Sequence, residues 1–483
     1  MLDEVALLES ILNGSMSESS AEELRRLATF VGSSEDTVEI IDRLNDQQWL
    51  DAVQRLFTAT EGRDDDVIKF TLRLIVNMAN RSDRHRNSFP PSVLVVLRDL
   101  LVSQRLLIEA AAVLTTFAKP ISMGSALDTT FDSIVAVVAN LWMNVEDDNA
   151  RSWLSAFLAA MLEEDGAFLA NAFGELPPTV FTMLLHAVEA LSDRLVIMGR
   201  SHEELKMHSN NVQMLFDVLM RARYDHSYEA MTSSSMTMTS SESSSTSSNR
   251  FLSEYPEQLP LIVSIIANLA TRRDLYDEVF ARNEDAIDFV VDLLDVALHS
   301  EGDLVRLEDD EQTRERESGG EGADGQRQRP TDRPPPPPAF FSPRVHECST
   351  LTRLSDGFKR DTVAASRTRE RLAELKCATV RAIGNISSTC GASRVRAGAR
   401  GAVVLCLAAA KRNEHDNALV TQWSVAALRY LCIGCPPNQQ ILASIDSAPT
   451  GIIDRENLLA QLGVRVVTVE DEPGKKRAKL LPL

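Results

Sequence analysis

The sequence is poor in aromatic residues, which make up only 5% of its 483 residues, against 44% hydrophobic and 25% charged residues. Aromatic side chains are among those that favour strands. Leu, Ala, Val and Ile must therefore supply most of the buried surface, and this balance favours helices packed on helices. Because a single compact core rarely grows to this length, we expect several domains or an open repeat array.

Long apolar runs are also missing. No stretch of about 18 uncharged apolar residues, the length needed to span a bilayer, occurs in the chain. The start, MLDEVALLES, lacks the positive region and apolar stretch of a secretory signal. All six cysteines lie in the last third, mostly within apolar runs, as buried thiols do and disulfide frameworks do not. We therefore expect a cytoplasmic protein without membrane association.

An excess of positive charge is absent as well, since the formal net charge is −20. The averaged field of such a chain repels phosphate backbones and anionic membranes. Nucleic-acid binding is therefore not expected. The acidic surface favours solubility, and attraction of a basic peptide is the alternative interpretation.

Motifs of catalysis or cofactor binding are not found. The sequence has no phosphate-binding glycine loop, no GxSxG elbow and no HExxH motif. Cys432 and Cys435 have CxxC spacing, but no second CxxC or nearby histidine pair completes a zinc site. His202 and His208 are six residues apart, which does not place both on one face of a helix. We expect no enzyme activity, no cofactor and no metal.

Apolar residues recur three and four positions apart along most of the chain, which predicts successive amphipathic helices. The resulting divisions are armadillo-like repeats over 1–230, a Ser/Thr-rich mobile loop over 231–250, a further helical repeat over 251–300, a disordered charged and proline-rich insertion over 301–368, helical repeats over 369–447 and a weakly structured tail over 448–483.

Three of the irregular segments have two interpretations each. Pro334–Pro338 favours a polyproline helix that SH3 or WW domains could bind, or a stiff linker without a partner. The Ser/Thr-rich loop is a phosphorylation target or a spacer. The tail contains a basic cluster, Lys475, Lys476, Arg477 and Lys479. Such a cluster fits nuclear access through an import signal as well as an ordinary basic end.

One local pattern recurs, in which an apolar helix contains an Asn followed by an apolar and a small residue. Its copies are centred on Asn77, Asn268 and Asn385, with a weaker copy at Asn140. Irregular repeats of this kind are typical of armadillo and HEAT arrays, in which stacked helix pairs form a continuous core. The sequence therefore predicts an all-α, armadillo/HEAT-like right-handed α-solenoid with disordered insertions.

The repeated asparagines are candidate protein-binding residues. In armadillo-type repeats such an Asn commonly lines the concave groove and can hold the backbone of an extended peptide. An Asn among apolar neighbours also needs a hydrogen-bond partner wherever it is buried. The alternative is therefore that Asn77, Asn268 and Asn385 bond to carbonyls of neighbouring loops.

The segment from about Leu375 to Ile445 contains a specific set of residues in a fixed order. They are Lys376, Arg381–Ile386, Asp416, Asn417, Trp423, Ala427–Arg429, Leu431, Asn438 and Gln439. In order and spacing this set resembles the C-terminal domain of the ataxin-10 family. The sequence departs from the family pattern at Ala392–Ser393, Ala418, Gln422 and Tyr430, which stand where that pattern has Asn-Gln, Pro, Glu and Asn.

The resemblance implies a non-enzymatic adaptor that binds other proteins through its solenoid surface, in cytokinesis and in neuronal survival or differentiation. It adds Arg429 to the candidate protein-binding residues. Trp423 is expected to be a core anchor, and Asp416 and Asn417 to form a turn or helix cap. Self-association stays open, and the alternative function is an armadillo-type regulator, exchange factor or chaperone, of a GTPase.

Overall fold

The computed structural model describes residues 2–12, 21–34, 36–58, 63–90, 92–119, 121, 129–197, 206–232, 246–299, 365–410, 419–446, 464–472 and 475–482. The chain divides into two compact units, Met1–Leu215 and Phe216–Leu483.

Helices make up the described part of the first unit. They are α1 (Leu2–Leu12), α2 (Ala21–Ser33), α3 (Asp36–Asp42), α4 (Asp46–Thr58), α5 (Asp65–Ala79), α6 (Asp83–Arg86), α7 (Ser92–Val102), α8 (Leu107–Thr116), α9 (Thr129–Asn144), α10 (Asp148–Glu164), α11 (Phe168–Glu175) and α12 (Pro178–Ile197). Helix α13 (Ser209–Thr232) crosses the boundary between the units.

These helices stack in two rows. Helices α2, α5, α8 and α10 contact one another in succession, and α4, α7, α9 and α12 form the second row. The helices stack because each has an apolar face. On α2 this face consists of the buried residues Leu24, Leu27, Ala28 and Val31, which lie on one side of the helix. A single helix pair cannot cover such faces, whereas stacking joins them into one core.

The second unit continues with eight helices among its described residues. They are α14 (Thr246–Ala270), α15 (Arg273–Arg282), α16 (286–299), α17 (Ala365–Thr389), α18 (Gly391–Ala399), α19 (Ala402–Ala409), α20 (Val420–Cys432) and α21 (Pro436–Asp446). Helices α14, α17 and α20 lie side by side as a row. Every residue from Gln258 to Ala270 is buried, so the second half of α14 is a central helix of this unit.

The predicted all-α solenoid of stacked helix pairs is thus confirmed. Within the ranges described above, no helix combines the length and the apolar character that crossing a membrane requires. Helices reach into both ends of the predicted Ser/Thr-rich loop, because α13 extends to Thr232 and α14 begins at Thr246. The rest of that loop, 233–245, and nearly all of the predicted insertion, 300–364, lie outside the described residues.

The predicted weakly structured tail is wrong for its last part. Strands β1 (Val464–Glu472) and β2 (Lys475–Pro482) form an antiparallel hairpin in which Thr468 is opposite Ala478, with a register irregularity between Glu470 and Glu472. Four valines and a threonine between 464 and 469 favour a strand. The basic cluster of the tail therefore lies on β2, where Lys475 and Lys476 are opposite Glu472 and Glu470 of β1, and Arg477 and Lys479 are opposite valines.

Candidate protein-binding surface

Gly384 lies at a close contact between the row helices α17 and α20. A Cβ atom added there would lie 3.2 Å from the Cα and 3.3 Å from the Cβ of Ala427. Such distances are tighter than ordinary van der Waals contact and involve backbone that cannot rotate away. A side chain at residue 384 would therefore push α20 away by a few tenths of an ångström, so the glycine favours this close helix contact.

Two of the repeated asparagines form equivalent hydrogen bonds between row helices. The Nδ2 of Asn385 donates to the carbonyl of Ala267 at 2.8 Å, and the Nδ2 of Asn77 donates to the carbonyl of Ala28 at 2.8 Å. In each case the acceptor lies on the preceding row helix. Both asparagines are half-buried. The alternative interpretation, that these asparagines form hydrogen bonds within the fold, therefore describes Asn385 and Asn77 better than binding of a peptide does. Their acceptor carbonyls belong to helices, however, and not to loops as that interpretation expected.

Asn268 is fully buried, and its Oδ1 accepts a hydrogen bond from the guanidinium of Arg381. No partner protein can reach a fully buried side chain, so the prediction of Asn268 as a protein-binding residue is wrong. The weaker copy, Asn140, is exposed, and its Oδ1 accepts from Nδ2 of Asn144 at 2.7 Å. It therefore does not take part in a contact of the Asn385 kind.

Trp423 is not a core residue. The buried residues of α20 are Val420, Ser424, Ala427 and Leu431, which follow one another at helical spacing. Trp423 lies to one side of that line and is half-buried. The Arg381 guanidinium carbon stands 5.3 Å from the centroid of its ring, a cation–π contact. The expected core anchor is therefore a side chain on the surface between α17 and α20.

A second apolar line follows α20 outside the core. Its members, which we call the α20 stripe, are Leu419, Trp423, Ala426, Tyr430 and Ile433. They are spaced by four, three, four and three residues, so they share one side of the helix. Leu419, Tyr430 and Ile433 are 44%, 37% and 49% exposed. A continuous apolar line that is open to solvent is typical of an interaction surface.

Polar groups lie on either side of the α20 stripe. On α17, the half-buried or exposed residues are Glu374, Cys377, Arg381, Asn385 and Ser388, which also recur at helical spacing. On α20 itself, Arg429 is exposed, and no carboxylate among the described residues pairs with it. The candidate residue Arg429 is thus available to a partner. An apolar, aromatic line on α20 thus lies beside a polar line on α17.

An ion-pair ladder that the sequence analysis missed joins α16 to α18. Arg396 donates to both carboxylate oxygens of Asp288 at 2.9 Å, and Arg400 donates to both of Asp292 at 2.6 Å. The sequence does contain a signal for it, because the acids are four residues apart on one helix and the arginines four apart. The ladder fixes the helix before residues 300–364 against a helix after them.

The cysteines of the CxxC sequence are withdrawn from solvent, and Cys432 is half-buried. Cys435 is buried. Burial raises the pKa of Cys432, and burial together with the neighbouring Cys432 raises the pKa of Cys406 to about 12. Among the described residues, no group of three or more His, Cys, Asp and Glu side chains could hold a metal ion.

Cys390 is different, because its thiol pKa is lowered. Burial acts to raise that pKa, but hydrogen bonding by Ser393 and the charge of Arg273 outweigh it.

Other predicted residues cannot be placed: Asp416, Asn417 and Pro334–Pro338 lie outside the described residues. Lys376 is one of the matching residues of the ataxin-10 resemblance. Its side chain, on the buried side of α17, is only 1% exposed.

The stacked helix rows of the first unit, and the row α14, α17 and α20 of the second, define an α-helical repeat protein. Residues 375–479 match the family model described as the spinocerebellar ataxia type 10 protein domain. This match confirms the resemblance that the sequence predicts for the same segment. It covers α17 from Leu375 onward, all of α18 to α21, and most of the hairpin.

Comparison with other proteins adds little to this assignment. No match is found among the curated proteins. Similar solved structures include the crystal structure of an engineered protein, which is 15% identical, aligns over 89% of this chain and 98% of that chain, and has a TM-score of 0.32. A likeness of that size supports no argument, so the fold assignment rests on the helix stacking described above.

Proposed function

We propose that this chain is a non-enzymatic scaffold or adaptor that binds other proteins through the surface formed by α20 and the adjoining side of α17. The observation that supports it is the α20 stripe, an apolar line open to solvent beside an exposed arginine, Arg429, which has no carboxylate partner among the described residues. Aromatic and arginine side chains contribute most to binding energy at protein interfaces. The repeated asparagines, in contrast, already use their amides within the fold.

The resemblance to the ataxin-10 family extends this proposal to a biological role. On that basis the partners belong to cytokinesis and to neuronal survival or differentiation, and the protein acts in the cytoplasm, with access to the nucleus through the basic residues of β2. The net charge of −20 is consistent with partners that are proteins and not nucleic acids or membranes. Self-association through the same repeats is compatible with this role.

The proposal is tested by labelling proteins in proximity to the full-length chain in dividing cells, followed by binding of purified partners. Changing Arg429 to Glu together with Tyr430 to Ala should weaken the direct partners at least tenfold. Val395→Ala is the matched control, because Val395 is 49% exposed in the same unit but lies on α18. Partners bound equally well by both variants would exclude this surface of α20 and α17 as the docking site.

A further inference from the structure

We propose that an acidic, amphipathic helix of another protein stacks on the side of α20 that faces away from α17, and so continues the row of α14, α17 and α20. We call this side the open end. Its residues are Gln422, Val425, Leu428, Arg429 and Cys432. The inference goes beyond the proposed function, because the open end is a different side of α20 from the α20 stripe.

Helix α20 repeats α17 at a distance of 45 residues, which is within the period of armadillo and HEAT arrays. On each helix, four buried residues follow one another at helical spacing and form the core side. They are Leu375, Thr379, Ala382 and Ile386 on α17, and Val420, Ser424, Ala427 and Leu431 on α20. Each position of α20 therefore has an equivalent on α17, and the surroundings of the two can be compared.

The side of α17 that faces α20 is buried, whereas the equivalent side of α20 is not. Gly384 is buried against Ala427 of α20, but its equivalent, Arg429, is exposed. Val380 is 0% exposed, and its equivalent Val425 is 37% exposed. The same difference separates Ile383 from Leu428 and Ser387 from Cys432. No described helix stacks on α20 as α20 stacks on α17, so the row ends with an uncovered side.

This uncovered side contains an apolar line. Val425, Leu428 and Cys432 are spaced by three and four residues, so they share one side of α20. Terminal repeats of helical arrays have a polar outer face, because that face meets water. The apolar line at the end of this row is therefore suited to be covered. Helix α20 is about 20 Å long, so a partner helix of about four turns covers it.

The backbone of α20 favours a helix over an extended segment as the partner. In the middle of α20 the backbone N–H and C=O groups are bonded within the helix. The open end therefore offers no ladder of hydrogen bonds to an extended segment, whose buried backbone would lack partners. A helix satisfies its own backbone and leaves only side chains to be matched.

Charge favours an acidic partner. Residues 365–446, from the start of α17 to the end of α21, contain 11 Lys and Arg against five Asp and Glu, although the net charge of the chain is −20. The charged member of the open end is Arg429, which has no carboxylate partner among the described residues. A partner residue placed as Ala427 is placed over Gly384 would face Arg429. A second copy brings the same positive excess and is therefore not the occupant.

The first experiment uses a helix designed from α20 itself, which is the natural neighbour of a row helix. The probe is a fluorescent, hydrocarbon-stapled peptide of residues 419–433 with Cys432→Ser, added to the full-length chain. One form has Ala427→Glu and the other Ala427→Lys. We expect the glutamate form to bind about tenfold more tightly, and Arg429→Glu in the chain to reverse this preference.

Variants of the chain locate the binding site of this probe. Val425→Lys should weaken binding of the glutamate form about tenfold. Val395→Lys is the matched control, because Val395 is an exposed valine of α18, and it should have no effect. If the glutamate form does not bind at about 1 mM, or if Arg429→Glu leaves its binding unchanged, the proposal is wrong.

The second experiment identifies the natural occupant. Val425 is replaced by the photoreactive p-benzoyl-phenylalanine in the full-length chain, and peptides cross-linked in cells are sequenced by mass spectrometry. We expect links to an acidic, amphipathic helix of another protein. A synthetic peptide of that helix should bind the purified chain and lose about tenfold in affinity on Arg429→Glu. Links to a second copy or to another segment of the same chain, or no link beyond those of the same probe at Val395, would overturn the proposal.

This inference and the proposed function fail separately. Tyr430→Ala changes the α20 stripe and leaves the open end intact, so it should weaken partners of the stripe and leave the stapled peptide bound as before. Val425→Lys should do the reverse. If Val425→Lys weakens no binding while Tyr430→Ala weakens the partners, the open end is not a docking site and the proposed function stands.

Discussion

Gly398 on α18 lies against Asn438 on α21, and replacing it by Ala should destabilise the second unit. Asn438 is 1% exposed, and its Nδ2 donates to the carbonyls of Arg394 and Leu431 at 2.9 and 2.8 Å. A Cβ atom on residue 398 would lie 1.7 Å from the Oδ1 of Asn438. The Asn438 side chain would therefore have to leave its place.

The magnitude follows from two opposing effects. Ala in place of Gly inside a helix stabilises by about 1 kcal/mol. Loss of two hydrogen bonds costs about 1 kcal/mol each, and displacing the buried Asn438 amide from its place adds to this. Gly398→Ala should therefore destabilise by about 1 to 3 kcal/mol, as measured by urea unfolding followed by circular dichroism. Gly391→Ala is the control, because a Cβ there meets nothing within 4 Å, and it should be neutral or stabilising.

A double-mutant cycle decides whether the contact is the cause. Once Asn438 is already Ala, the clash is gone, and Gly398→Ala should stabilise by up to about 1 kcal/mol. The sign of the Gly398 effect thus depends on residue 438. If Gly398→Ala destabilises equally in both backgrounds, the explanation by this contact is refuted.

Three further results are expected. Asp292→Asn should destabilise by about 2 kcal/mol and Asp288→Asn by about 1 kcal/mol in urea unfolding, since the first carboxylate is the more buried; equal effects would contradict this order. Iodoacetamide at pH 8 should alkylate Cys390 in the native chain and leave Cys406 unmodified, as read by mass spectrometry, because the thiol pKa is lowered at the first and about 12 at the second. Burial lowers the pKa of His85, so the folded state resists its protonation; stability should fall as pH drops below about 6.5, and a His85→Gln variant that falls equally would exclude His85 as the cause.

The sequence predicted the fold well because helical periodicity is a local signal. The apolar spacing on α2 and α5 is visible within a dozen residues, and the ataxin-10 resemblance places Gly384 and Trp423 on packed helices. The surface was harder to predict. Whether Asn268 is fully buried, or Trp423 only half-buried, depends on which neighbour covers it, and that neighbour can be more than a hundred residues away, as Arg381 is from Asn268.

The hairpin and the ion-pair ladder were missed for different reasons. A strand of nine residues, Val464–Glu472, is a weak signal in a chain with helical periodicity throughout. The ladder needs two helices that are brought together across residues 300–364, so its acids and arginines look like ordinary solvated faces when each helix is considered alone. Charge pairs between distant segments have no local signature.

The ladder has a consequence for a chain that is cut. Since α16 is held to α18 by two bidentate ion pairs, the chain between these helices does not have to set their register. Helix α17 also packs against α14. A chain cut between α16 and α17 should therefore stay assembled as two fragments.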